Sequence, residues 1–377
     1  MKIKLLVLSF LLANTLIAQS VEAALEDYIN AIAKPKTVQE FEPAFHFSPV
    51  NQDTTSSCWS FATLSFIETE MNRLHNKHAK LAMMFPVYYG FVEKIKLYVS
   101  SKGESRFSPG DLFSGVFDVI KKYGIVPIKA YTGDARVCGT FNHSQLYEEL
   151  FALTKKLKGE DFRDEKTAVA EAMEILNKHL GNPPAKFEFE GKEYTPESFR
   201  DEIVKLEWDN YMMVTSFNYA PFYEKVKLNV PDNWTGNSNY INLPLDEFVN
   251  FLTAAIDKGY SAAIDADISE PAYSINKEYC VVPSFDIEEK NIDQAAREFR
   301  FNNGSTTDDH LMHIVAHKKI SGKDWFLVKD SWQTAFETDS PKGYMFMDDN
   351  YIKLKVLAYV VHKDVLKEIE IKLKAVE

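Results

Sequence analysis

Cysteine is scarce in this chain. Only Cys58, Cys138 and Cys280 occur among its 377 residues, and no Cys-x-x-Cys pair is present. A disulfide-built scaffold is thereby excluded, and no zinc site is expected. Glycine and proline, 15 of each, are too few for collagen-like or low-complexity architecture. Positive charge is also in deficit: the formal net charge is −12, so no basic surface is left over to neutralise phosphates and no nucleic-acid partner is expected. Beyond the first residues no apolar run is long enough for a membrane span. There is no heptad array and no internal repeat.

What remains is a chain 45% hydrophobic and 13% aromatic, enough for one large core or two closely packed ones. Lys2 and Lys4 precede an apolar stretch from Leu5 to Ala18. That pattern predicts an export signal over residues 1–18, with cleavage after Ala18 or as late as Ala23, and an exported (periplasmic or secreted) mature protein over 24–377. Residues 24 to 50, with Pro35, Pro43 and Pro49, read as an extended arm. Helices are expected from Cys58 to about Leu74 (capped by Ser56 or Ser57), from Phe85 to Ser100, and from Asp111 to Tyr123 with Gly124 closing the last. Residues 144–180 read as two charged helices around Gly159. The alternation from Phe187 to Tyr194 reads as a hairpin, and Thr195-Pro196 as a helix start. This middle segment, about 139–210, is expected as an insertion decorating the surface. The last third predicts a helix from Leu245 to Asp257, then strands at Tyr260–Ile264, His310–His317, Asp324–Lys329, Tyr344–Met347 and Val356–Val361. The order is α+β: a helical half over about 50–135, a strand-rich half over about 240–365, and a charged, helix-prone tail over 365–377.

Gln52 stands six residues before Cys58, and Cys58 opens an apolar helical run. A thiol at a helix N-terminus with an amide donor nearby suits nucleophilic attack on a carbonyl. Such a thiol needs a base. Of nine histidines, His310 is the candidate, because it follows Thr307-Asp308-Asp309 and opens an apolar strand. His313 and His317 on the same strand read as structural. Twenty residues on, Lys329-Asp330-Ser331-Trp332 closes the return strand. Asp330 can there accept the second imidazole N–H, with Trp332 shielding the bond; alone it reads equally as a turn residue. Cys138 and Cys280 either pair or remain buried thiols.

Gln52, the run Ser57-Cys58-Trp59-Ser60-Phe61-Ala62, Asp309-His310 and Ser331-Trp332 resemble the papain-like (C1) cysteine peptidases. Lys122–Pro127, Leu243–Phe248, Ser261–Asp267 and Tyr359–Asp364 are similar to the bleomycin hydrolase and aminopeptidase C branch, so the resemblance spans about residues 45–365. It implies a papain-like fold, with a cleft between a helical half bearing Cys58 and a β-barrel-like half bearing His310. It further implies Cys58 as nucleophile, His310 as base and acid, Asp330 as the orienting group and Gln52 as the oxyanion donor. Peptides are the implied substrates, no cofactor is needed, and a homo-oligomer is the branch's habit. Three departures stand out: Asp330 where the family has asparagine, Gln333 where it has glycine, and a tail unlike the arm that enters the cleft in that branch. The tail leaves aminopeptidase and endopeptidase both open, and Asp330 with Gln333 motivates an alternative, a weakened homologue that binds peptides or a partner.

Overall fold

The computed structural model describes residues 20–133, 140–161, 164–271, 273, 278–337 and 341–368. The expected signal segment, Cys138 and most of the charged tail lie outside them. Residues 20–31 are helical (α1) where an extended arm was expected from residue 24. The reason is tertiary. Leu25 and Ile29, one turn apart on one helix face, are buried in a cluster with Tyr279, Trp325, Leu327 and Phe346.

The helical half is built on α2 (Cys58–His75), in which every residue from Cys58 to Met71 is buried. A helix apolar on one stripe only would not sit there; this one is covered by helices on one side and by the sheet on the other. It ends at Asn76, whose left-handed φ of 51° lets its N–H reach Asn72 O at 2.8 Å. Helices α3 (Met84–Ser100) and α4 (Phe113–Tyr123) pack against it. The next two, α5 (Ser144–Gly159) and α6 (Glu165–Leu180), are not surface decoration. Leu146, Leu150, Leu153 and Leu157 of α5, and Ala168, Ala172, Leu176 and Leu180 of α6, recur at helical spacing. They are buried in the same core as Trp59 and Phe85. Periodicity alone could not say which surface those stripes meet. The expected hairpin follows as β1 (Phe187–Phe189) and β2 (Lys192–Tyr194). Thr195 then caps α7 (Pro196–Phe199), its hydroxyl accepting from the Ser198 N–H at 3.2 Å.

The sheet begins earlier than residue 240. Strands β3 (Tyr211–Thr215), β4 (Lys225–Val226) and β5 (Tyr240–Asn242) precede α8 (Leu245–Asp257) and β6 (Ala262–Ala266). After β7 (Tyr279–Cys280) and α9 (Gln294–Asn302) come β8 (His310–Ile320), β9 (Lys323–Lys329), β10 (Tyr344–Asp348), α10 (Asp349–Lys355) and β11 (Val356–His362). Among the described residues they form one nine-stranded sheet in the order β4-β5-β3-β11-β6-β8-β9-β10-β7. The first seven residues of β8 are all buried, because α2 covers one face and α8 the other. Two cores result. Ala263, Leu311 and Ala358 face the helical half, while Ala262, Ile264 and Met312 face α8. Cys280 is a free, fully buried thiol on β7, and its candidate partner Cys138 lies outside the described residues.

Gly124 ends α4 with φ +75°, and a Cβ built there would lie 2.2 Å from the Pro196 backbone. It is thus the point where the helical half and the α7 segment touch. Gly124→Ala combines a left-handed alanine with an overpacked contact, and should cost about 2–4 kcal/mol. Urea unfolding checks this; a variant within 1 kcal/mol of wild type, on the same order-of-magnitude scale, would show that the junction gives way freely.

Candidate active site

The loop before α2 is held in an unusual conformation. Asp53 and Ser56 both take positive φ, 50° and 47°, and neither is glycine. Such residues cost on the order of 1 kcal/mol each and persist only where their surroundings hold them. Here Asn51 Oδ1 accepts from the Asp53 N–H at 2.8 Å, and Asp53 Oδ2 accepts from the Phe141 N–H at 2.9 Å. The loop delivers Cys58 to the first position of α2, where its own N–H has no acceptor within the helix. Ser57 is the N-cap residue by position. Its hydroxyl donates backwards to Thr55 O at 3.0 Å and caps nothing.

His310 opens β8 and is 2% exposed. Cys58 acts on its ring from one side, and its Nε2 lies 2.7 Å from Asp330 Oδ1 on the other. Burial alone would pull the imidazole pKa down. The charges of Asp330 and Cys58, with their hydrogen bonds, overcome it and hold His310 at about 10. Asp330 follows directly on β9 and is fully enclosed. Burial pushes its carboxyl up, but the His310 charge and three donors prevail and keep it below the usual range. Those donors are His310 Nε2, the Trp332 N–H at 2.8 Å and the Tyr273 hydroxyl at 2.7 Å. The Trp332 ring stands edge-on to His310 with centroids 6.0 Å apart.

Gln52 is fully buried. Its backbone N–H donates to Ser331 O at 2.8 Å, and its Oε1 accepts from Ser331 Oγ at 2.7 Å. The amide is therefore fixed with its oxygen engaged, and Nε2 has no partner among the described residues. A buried donor left without an acceptor is costly unless a ligand supplies one. Gln52, Cys58, His310 and Trp332 line a cleft of about 510 Å³ together with Arg106, Gly110, Asp232, Ser269 and Asp309. All four residues singled out in the sequence thus meet in one place. The arrangement can transfer a thiol proton to His310, and can present two N–H donors to a carbonyl oxygen that becomes negative.

Residues 11–376 match the Peptidase C1-like family. The chain belongs to that family. It is a papain-like cysteine peptidase by membership, and three relatives place it more closely. It is 22% identical to aminopeptidase G of Lactobacillus delbrueckii subsp. lactis, the match covering 84% of this chain and 81% of that one. It is 23% identical to bleomycin hydrolase of Gallus gallus, covering 88% and 84%. PepW of Lactobacillus rhamnosis superposes with a TM-score of 0.66 at 19% identity over 91% of this chain and 87% of that one, which shows the papain-like fold. No helix among the described residues is long and apolar enough to cross a membrane.

Sequence reasoning missed two supports of this C1-like site. Tyr273 has no local motif to mark it, and Ser331 was quoted without its grip on Gln52. The neighbouring histidines are structural, as expected. His313 is within 2.9 Å of Ser65 Oγ, and His317 lies between Asp257 and Asp324 at 2.6 and 2.8 Å. Gln333, the glycine departure, starts a 3-10 turn (Gln333–Phe336) and is not among the positive-φ residues, so its side chain is accommodated without strain.

Because His310 titrates near 10 rather than at its ordinary 6.5, the imidazolium's contribution to stability is fully present below 6.5. It is lost as pH rises through about 10. Asp330→Asn keeps an acceptor but removes the charge, so the alkaline limb of Cys58 alkylation should move to lower pH. An alkaline limb that stays in place would remove Asp330 from the account. Gln52→Ala should lower kcat about 10²–10³-fold with KM little changed. A rise in KM at constant kcat would instead mark Gln52 as a substrate-binding group only.

Proposed function

We propose that this C1-like peptidase is exported and removes residues from the N-termini of peptides. Cys58 Sγ, as thiolate, attacks the scissile carbonyl. The oxyanion accepts hydrogen bonds from Gln52 Nε2 and the Cys58 N–H. His310 gives its proton to the leaving amine, and an acyl-enzyme remains. His310 then takes a proton from water, whose oxygen attacks the acyl carbon; the C–S bond breaks, the acid product leaves, and the Cys58 thiolate and His310 imidazolium are regenerated. Asp330 holds the imidazole by Nε2 throughout.

The observation that carries this reading is a buried donor without a partner among the described residues, Gln52 Nε2, lining the same cleft as Cys58 and His310, which act on each other. The alternative of a binding-only homologue rested on Asp330 and Gln333, yet an aspartate 2.7 Å from Nε2 retains the acceptor that the position requires, and Gln333 sits in its 3-10 turn without positive φ. The N-terminal mode of attack is supported by the relatives, which include aminopeptidases G and E of lactobacilli. Export is supported by Lys2, Lys4 and the apolar run to Ala18. Cleavage at either expected position leaves Leu25 and Ile29 in place in their cluster.

Labelling with an epoxide directed at cysteine peptidases should modify Cys58 in preference to Cys138 and Cys280, and Cys58→Ser should abolish turnover. Fluorogenic aminoacyl amides with free α-amines should be cleaved with at least about tenfold higher kcat/KM than their acetylated forms. Preference for the acetylated forms would end the aminopeptidase reading and leave the peptidase.

A further inference from the structure

The loop that delivers Cys58 contains no glycine between Asp53 and Ser57, yet it passes twice through left-handed backbone. Ser56, at φ 47°, lines the cleft beside Gln52 and Cys58. A serine gains nothing from that conformation, which glycine alone adopts freely. Turning over the peptide plane between Thr55 and Ser56 would carry the φ of Ser56 through about half a turn, into the extended region that L-residues prefer. Something must hold that plane.

The holding contacts come from the segment that opens α5. Thr54 pairs with Asn142 in a parallel bridge. Its N–H donates to Phe141 O at 3.3 Å, and its carbonyl accepts from the His143 N–H at 3.2 Å. Thr55 O, the carbonyl of the strained plane, accepts from two hydroxyls. One is Ser57 Oγ at 3.0 Å, within the loop; the other is the Tyr147 hydroxyl, from the first turn of α5. Tyr147 is itself fixed. Its ring packs against Phe91 with centroids 5.7 Å apart, its hydroxyl stands 3.5 Å from His143 Nδ1, and Leu146 and Leu150 beside it are in the core. Burial raises its phenol above the ordinary range, so it stays a donor while His310 is charged.

In a trans peptide the N–H points away from the C=O. With Thr55 O turned to Tyr147, the Ser56 N–H points the other way, and an inverted plane would turn an acceptor to that side. The same loop supplies both donors to the oxyanion, Gln52 Nε2 and the Cys58 N–H. Its conformation therefore matters to that developing charge more than to the thiolate, which His310 supports from β8.

We propose that Tyr147 is a positioning residue for oxyanion stabilisation. By pinning the Thr55–Ser56 peptide plane it keeps the loop in the strained form that presents Gln52 Nε2 and the Cys58 N–H to the substrate's carbonyl oxygen. Tyr147 is outside the set of residues lining the cleft and acts through the loop. This inference rests on the peptidase reading of the same cleft.

The test separates carbonyl addition from thiolate reactivity. A peptide aldehyde adds to Cys58 and places an oxygen where the oxyanion forms, whereas iodoacetamide needs the thiolate but no oxyanion donor. Tyr147→Phe keeps the ring and removes the donor. It should lower kcat and weaken aldehyde inhibition by one common factor, about five- to tenfold, with KM little changed. The rate and pH profile of Cys58 alkylation should stay as in wild type. Ser56→Gly makes the left-handed turn unstrained, and added to Tyr147→Phe it should restore most of the loss. Ser57→Ala removes the other donor to Thr55 O without touching α5; it should give the same pattern, and it decides the matter if the tyrosine variant does not fold. Alkylation that falls in step with kcat makes Tyr147 a general support of the nucleophile and overturns the proposal. Unchanged kcat and aldehyde affinity overturn it too, as does a failure of Ser56→Gly to rescue. If wild type cleaves no peptide, the peptidase reading fails while aldehyde affinity still decides for or against Tyr147. A wild type that is alkylated yet binds no aldehyde overturns both. Turnover that Tyr147→Phe matches leaves the peptidase standing and the positioning role refuted.

Discussion

Everything at this site depends on α2 being enclosed on all sides. The helix carries the nucleophile at its first residue, and it lies against β8, which carries the base at its own first residue. Neither element could slide without misaligning the other. The enclosure is also what makes the electrostatics strong. With water excluded, the interaction between His310 and Asp330 outweighs the cost of burying both.

The two halves are fastened where the chemistry happens. Gln52 and Ser331 exchange a backbone and a side-chain hydrogen bond, tying the loop before α2 to the exit of β9. The neighbouring residue, Asp330, holds His310. A displacement of the β9 exit would therefore disturb the oxyanion donor and the imidazole together. That coupling accounts for the tolerance of two left-handed non-glycine residues in the Gln52 loop. Their strain is held by contacts that also position the reacting groups.

Much of this was legible in the sequence, for local reasons. Cys58 at a helix start, Gly124 at a helix end and Thr195-Pro196 at another start are one-dimensional signals, and each element lies within a residue or two of its expectation. The catalytic pair was readable because its members carry chemistry that few positions could supply. What failed were judgements about which surface a stripe meets. The leucines of α5 and α6 are as periodic on a surface insertion as in a core layer, and only the facing residues Trp59 and Phe85 decide. Residues 24–31 read as extended because the prolines beyond them dominate the segment, while the partners of Leu25 and Ile29 lie some three hundred residues away. Tyr273 and the enclosure of Asp265 are tertiary facts with no local trace.

The substitution of aspartate for asparagine at position 330 belongs to a wider pattern. With an amide there, a thiolate–imidazolium pair is neutral overall; with Asp330 the buried group carries a net negative charge. Asp265 lies close enough for Cys58 to act on it, but burial and the neighbouring Asp308 push its carboxyl well above the ordinary range, which favours the neutral acid. A second charged carboxylate beside the nucleophile would oppose thiolate formation, since like charges repel. The imidazolium, held at about 10, offsets part of that opposition within the triad.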